Sequence, residues 1–438
     1  MKIIDFFNSD FKEFSNIDNV RSIPRLVDGF KDSQRKAVYG MLEHGNSEIK
    51  VAQAATKAAL ITAYLHGETS MADTIVGLAQ NYPGSNNVNL LEPIGQFGSI
   101  LSSEAASHRY IYTKPSANMR KYIRADDECI LHHRYEDGDR CEPIYYLPVL
   151  PMWILNGSIG IGTGHSVKIL PRCPKNVADY VQRTLSGTNM QDRTVEKLLA
   201  PAFNGWKGEV ISLGDNKYEL HGVLEVVNTS TIRVTELPVG YGVDKFKSIL
   251  VDLIDAGKVR DFDNNSTEVG FDFEIKVPRE VGRLDASKLK DLFKLIARHT
   301  ENVTLWNVHG RLEQFPSVRE ALDSFIAFRT DAYEVRRLKH IEILNDEVEF
   351  LQNKMLFIKT WNDQDNIGKL SVDKINGIML KSGVLDKYLP RLIQLSVRSL
   401  TLDLIKELEY DIKDRQAKIK VLTSVTSVDL YNQDINTL

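Results

Sequence analysis

The segment Ser107-His108-Arg109-Tyr110-Ile111-Tyr112-Thr113 sets a phenol beside a guanidinium in a basic stretch. Such a phenol can attack a phosphodiester if it is helped. A free tyrosine has a pKa of about 10, so roughly one molecule in a thousand is phenolate at neutral pH. Arg109 stays protonated and cannot be the base. It can stabilise charge gathering on phosphoryl oxygens in the transition state. Attack exchanges one phosphoester for a tyrosyl phosphoester and frees a strand end, so resealing needs no outside energy. Arg-Tyr pairs are common and mostly structural, so the reading depends on its surroundings.

The surroundings are basic. Between His108 and Arg124 stand Arg109, Lys114, Arg120, Lys121 and Arg124, with no acid before Asp126. The whole chain has a net charge of −4, so any grip on nucleic acid must come from local clusters of this kind. In Leu65-His66-Gly67-Glu68 a histidine before glycine can approach a phosphate, or Gly67 can simply end a helix. Gly84-Ser85-Asn86-Asn87 and Gly95-Gln96-Phe97-Gly98-Ser99 are either donor-rich loops for phosphates or tight turns. Asn156–Gly164 is glycine-rich but lacks the Walker lysine, the dinucleotide spacing and a following helix. There, Ile161 between glycines is able to wedge between base pairs.

These residues need elements to position them. The pattern of residues 1–125 is mostly helical. A helix starts at Asp32-Ser33, a second runs through Ala52–Tyr64 and a third covers Met71–Gln80. Punctuation by Gly67 and Pro83 suits a helix-turn-helix-like module. From about 145 to 315 strands are expected at Ile144–Leu150, Gly208–Ser212, Val223–Val227, Thr231–Thr235, Gly270–Val277 and Val303–Asn307. Helices are expected at Val177–Leu185, Lys245–Asp255 and Ser287–Ala297, giving a mixed α+β domain. Beyond Ser317, Ile341, Leu344, Val348, Leu351, Met355 and Ile358 step as a heptad seam. Ile405, Leu408, Ile412, Ile419 and Leu422 repeat the stepping, with Arg415 interrupting it. The spacing suggests either an antiparallel coiled-coil arm with a small tip or two ordinary bundle helices.

Composition bounds the rest. Three cysteines off metal spacing argue for a reducing compartment and against a structural zinc. The start is acidic too soon for a signal peptide, and no apolar run reaches membrane-spanning length. An intracellular protein without a membrane partner is expected.

Taken in order, the motifs resemble the breakage-reunion subunit of type II DNA topoisomerases over nearly the whole chain. They are Asn19-Val20-Arg21-Ser22-Ile23-Pro24, Asp28-Gly29-Phe30-Lys31, Ser33-Gln34-Arg35-Lys36, Ala63–Glu68, Gly84–Asn87, Pro93–Gly98, His108–Ile111, Leu147–Met152 and Asn156–Gly164. Within that family the sequence is similar to the cellular eukaryotic enzymes and to the medium subunit of T-even-like bacteriophage enzymes, more than to bacterial gyrase. Leu65 stands where the eukaryotic pattern often has a second histidine, and His108 where proline is common.

The resemblance implies a multidomain α+β fold. It comprises a winged-helix cleavage domain at 1–140, a tower domain at 141–315, a coiled-coil arm at 316–366 and 401–425, a dimer gate at 367–400 and a flexible tail at 426–438. It implies Tyr110 as nucleophile on a 5′ phosphate, Arg109 as transition-state support, and Arg21 and His66 near the scissile phosphate. Arg35, Lys36, Lys57 and Lys114 would contact DNA, Ile161 would bend it, and Ser70 would line an inhibitor pocket. Recognisable ATP and metal modules are missing, so ATP and Mg²⁺ are expected on separate ATPase/Toprim partner subunits. Cutting both strands of a duplex then requires a homodimer, working in the cytoplasm of a phage's bacterial host. The rival readings are a DNA-architectural protein that never cleaves and a nuclease, the latter wanting grouped carboxylates.

Overall fold

The computed structural model describes residues 3–364, 367, 370–395 and 402–438. Residues 365, 366 and 401 of the expected arm, and 368, 369 and 396–400 of the expected gate, lie outside the described residues. The chain divides into two compact units: residues 1–329 with 434–438, and residues 330–433.

The first unit begins with helices Ile3–Asn8 and Asp10–Ser22, then Asp32–His44, Val51–Ile61 and Glu68–Ala79. Beside the last three lies a three-stranded antiparallel sheet in the order Ile49–Lys50, Tyr112–Pro115, Leu91–Ile94. Ala37, Met41, Ala54, Ala55, Ala58, Met71 and Ile75 are buried. Their three- and four-residue spacing gives each helix one apolar face, and small alanines let the helices approach closely. The sequence expectation for these three helices holds.

A second sheet has the antiparallel order Val223–Asn228, Thr231–Glu236, Phe273–Lys276, Asp261–Asn264. Alternation sends Ile232, Val234, Phe273 and Ile275 inward, against Phe246, Ile249 and Leu250 of helix Val243–Asp255. Phe246 meets Phe273 edge-on at 4.9 Å. A third sheet, Ile296–Thr300, Lys217–His221, Glu209–Gly214, completes a mixed α/β unit with the hairpins.

Three expectations give way. The strand expected at Ile144–Leu150 is absent: the nearby ladder pairs His133–Glu136 with Asp139–Pro143 and ends there. The helix expected to reach Ala297 stops at Leu292, and Ile296–Thr300 becomes an edge strand paired with the central Lys217–His221; tertiary pairing outweighs local helix preference. The tail is not loose: Ser427–Ile435 is helical, with Tyr431 and Ile435 buried.

In the second unit the helix Val318–Asp363, which starts in the first, is followed by Val372–Lys381 and Leu402–Ser424. Its length fits a coiled coil. Phe357, Ile358, Ile375, Met379, Leu392, Ile405 and Leu408 share one core. The ion pairs Lys359–Glu409 and Arg415–Glu347, and the bond from Arg337 to the Leu422 carbonyl, show the two helices running in opposite senses. Arg415 interrupts the apolar seam because Glu347 receives it at 2.6 Å.

Candidate active site

Tyr110 closes a short turn whose amide donates to the Ser107 carbonyl at 2.9 Å. The turn stands directly before Tyr112–Pro115, the central strand of the three-stranded sheet. Ile111, just before the strand, and Thr113 within it are buried, which fixes the path of the backbone from inside. The ring of Tyr110 is left 71% exposed. The Arg109 guanidinium lies over it, 5.5 Å from its centroid, with Nε 3.3 Å from Ser107 Oγ. A nucleophile must reach a ligand that the fold does not contain. An exposed phenol on a turn anchored at both ends meets that condition.

Arg21 is exposed in the last turn of helix Asp10–Ser22, and Ile161 is 83% exposed on the hairpin Ser158–Gly162/His165–Ile169. Glycines join the two. A side-chain carbon on Gly160 would sit 2.1 Å from the Ser22 carbonyl oxygen, and one on Gly162 2.3 Å from Asn19 Oδ1. At Gly160 only bare backbone fits against the helix, and at Gly162 a side chain would have to displace the Asn19 amide. Thr163 Oγ1 donates to Asp18 at 2.7 Å and Asn19 Nδ2 to the Thr163 carbonyl at 3.1 Å. Ile159 and Ile161 project outward from the pinned strand.

His66 is exposed, its ring edge-on to Tyr64 at 5.4 Å. Gly67, with φ +87°, starts the helix Glu68–Ala79 rather than ending the one before, which stops at Ile61. Ser70 is half-buried and accepts from the Tyr64 hydroxyl at 3.1 Å. Lys57 is half-buried, 3.3 Å from His44 Nδ1.

Three basic residues expected to contact DNA are already committed. Arg35 is buried and bonds Asp28 twice, at 2.7 and 3.1 Å, and also the Phe30 carbonyl. Lys36 is buried between Glu142 at 3.0 Å and the Thr62 carbonyl at 2.6 Å. Their surface role is corrected to a structural one: both fasten helix Asp32–His44 from within. Lys114 lies between Glu48 and Glu92 at 3.3 and 3.4 Å, and its hydrogen bond to Glu48, then Glu92, holds its pKa above the ordinary lysine value. Arg124 pairs with Asp434 at 3.0 Å. Of the basic stretch, Arg109, Arg120 and Lys121 remain exposed.

The Gly84–Asn87 loop spends its side-chain donors on the protein itself. Asn86 donates to the carbonyls of Gly77 and Gln80, and Asn87 to those of Arg172 and Ala202. The Asn86 and Asn87 side-chain amides are thus committed within the fold. One feature is assembled only by the fold. A groove of about 750 Å³ is lined by Lys31, Gln34, Ser85, Asn86, Asn156, Ser158, Lys168 and His299, with no carboxylate side chain. Lys31 Nζ donates to the Ile159 carbonyl at 2.6 Å, and burial lowers its pKa. Lys31, Gln34, Ser85, Asn86, Asn156 and Ser158 belong to motifs read in the sequence, but only the fold brings them together with Lys168 and His299.

Among the described residues no group of three or more His, Cys, Asp or Glu side chains is placed to hold a metal ion. No described helix is long and apolar enough to cross a membrane.

Comparison with known proteins bears directly on this geometry. Residues 21–436 match the A-subunit family of DNA gyrase/topoisomerase IV. DNA topoisomerase 2 of Bombyx mori is 38% identical over 367 residues, covering 81% of this chain and 23% of that protein. DNA topoisomerase 2-beta of Homo sapiens is 36% identical, over 81% of this chain and 22% of that protein. The chain thus spans about a quarter of these relatives' length. The crystal structure of the Plasmodium falciparum topoisomerase II DNA-binding, cleavage and re-ligation domain superposes with a TM-score of 0.89 at 30% identity, over 99% of this chain and 63% of that one.

Proposed function

This chain belongs to the A-subunit family of DNA gyrase/topoisomerase IV, and from that premise we propose that it is the DNA-breaking and rejoining subunit of an ATP-dependent type II topoisomerase. Tyr110 Oη attacks a backbone phosphorus. A phenol O–P bond forms, the P–O3′ bond breaks, the proton leaves the phenol and the 3′ oxygen takes one up. The 5′ phosphate stays on the tyrosine until the reverse step reseals the strand. The observation that carries this is the 71% exposed phenol with its neighbouring guanidinium, inside the family-matched span.

Arg109 stabilises the charge on the phosphoryl oxygens. Arg21 and His66 act near the same phosphate, Lys57 adds to the grip, and Ser70 lines a pocket beside the cut. Ile161, rigidly seated, wedges into the duplex and bends it. The carboxylate-free groove past Lys31, Lys168 and His299 suits a phosphate backbone. One tyrosine cuts one strand, so a homodimer cuts both.

In domain terms we read residues 1–140 as the winged helix, 141–315 as the tower, 316–366 with 401–425 as the coiled-coil arm, and 367–400 as the dimer gate. Mg²⁺, which activates the phosphate when bound, and ATP are assigned to separate ATPase/Toprim subunits. That assignment, and a phage origin in a bacterial host's cytoplasm, rest on the motif resemblance; the relatives named above are eukaryotic.

The test is a denaturant-quenched cleavage reaction of the reconstituted complex. Tyr110→Phe should bind DNA with unchanged affinity and form no covalent adduct. An adduct persisting in that variant moves the nucleophile elsewhere, with Tyr112 examined first. Only reversible, salt-sensitive binding by the unaltered protein favours an architectural role instead.

A further inference from the structure

Two residues before Tyr110, His108 is held from two sides. Its carbonyl oxygen accepts from the Ala52 amide at 3.2 Å, at the start of helix Val51–Ile61. Its ring Nε2 stands 3.1 Å from Asp73 Oδ1, in helix Glu68–Ala79. The His108 side chain is 26% exposed and that of Asp73 67%. The chain leading in, residues 95–106, has neither helix nor strand. The turn that carries Tyr110 is therefore approached through irregular backbone. His108 is where it is tied to two helices at once, one of which opens beside His66 and carries Ser70.

We infer that the His108–Asp73 pair is a positioning clamp for the nucleophile. It fixes the turn of Tyr110 against helix Glu68–Ala79, so the phenol and the groups around His66 face the same phosphate. The inference rests on the reading of Tyr110 as nucleophile. Exposed ion pairs contribute little to global stability, whereas misplacing a reacting group by about 1 Å can slow chemistry by up to a hundredfold. The clamp should thus show in the rate of cleavage and not in folding.

The experiment follows single-turnover adduct formation in the reconstituted complex, with DNA affinity and thermal midpoint measured alongside. Asp73→Ala is expected to slow adduct formation about fivefold while leaving affinity and midpoint unchanged. Asp73→Asn, which keeps an acceptor oxygen for the imidazole N–H, retains most of the rate. His108→Gln slows the step similarly. The double variant Asp73→Ala/His108→Gln is no slower than either single one, because both remove one interaction. A wild-type rate in Asp73→Ala, or additive losses in the double variant, overturns the clamp. Tyr110→Phe run beside them separates the two claims. An adduct persisting there sinks the nucleophile reading. An adduct lost there, with a wild-type rate in Asp73→Ala, sinks the clamp alone.

Discussion

Helix Asp32–His44 and the turn Ser107–Tyr110 each carry basic side chains next to the residues of greatest interest, and the fold treats them in opposite ways. On the helix, Arg35 and Lys36 turn inward and meet Asp28 and Glu142. On the turn, Arg109 meets Ser107 and the Tyr110 ring, pairs with no carboxylate among the described residues, and stays exposed. A buried cation needs a buried anion, since an unpaired charge in the interior costs several kcal/mol. An exposed cation without a carboxylate keeps its charge for a ligand. Adjacency to a motif therefore does not make a basic residue a DNA contact. The whereabouts of the acids decides it, and Glu142 lies more than a hundred residues from Lys36.

Two substitutions should pull these regions apart. Arg35→Ala strands the Asp28 carboxylate, which also accepts from the amides of Phe30 and Tyr146. Breaking such a pair costs about 3–5 kcal/mol, to be read from the denaturant midpoint. A loss under about 1 kcal/mol would show that the arginine is dispensable inside and return it to the surface account. Arg109→Ala should do the reverse. Stability should move by less than about 0.5 kcal/mol, while adduct formation slows by about 100- to 1000-fold, the usual scale for losing one charge-stabilising donor. A normal rate would remove Arg109 from the chemistry and leave Tyr110 needing another source of support.

The same contrast explains what can be read in advance. The exposure of Tyr110, Arg109 and Ile161 is legible because a turn, a basic stretch and an isoleucine between glycines are local features. Phe273 and Ile275 are legible because strict alternation has one structural meaning. The fates of Arg35, Lys36 and Lys114 are not, because they depend on partners brought near by the fold. Ile296–Thr300 reads as the edge of a helix for a similar reason: its strand exists only because Lys217–His221 offers an edge. Tyr431 belongs to a polar tail in sequence, and its burial and its stacking on Tyr333, at 4.6 Å, appear only in the fold.

His299 is a third case, between the buried arginine and the exposed one. Both its ring nitrogens are shielded from solvent without a hydrogen-bond partner among the described residues, and it lines the carboxylate-free groove. Burial first, and then the nearby Lys168, lower its pKa below the ordinary 6.5; Glu301 opposes more weakly. The folded chain thus stays unprotonated at a pH where the unfolded chain takes up a proton. The unfolded state binds more protons there, so stability falls as pH drops below about 6.5. His299→Gln should remove that part of the acid sensitivity, seen as a smaller fall in thermal midpoint between about pH 7 and pH 5.5. The effect is the smallest of the set, because one half-buried ring carries it. If the variant and the parent lose stability in parallel over that range, the ring is already compensated in the fold. The groove would then be no more hungry for an anion than the neutralised helix Asp32–His44.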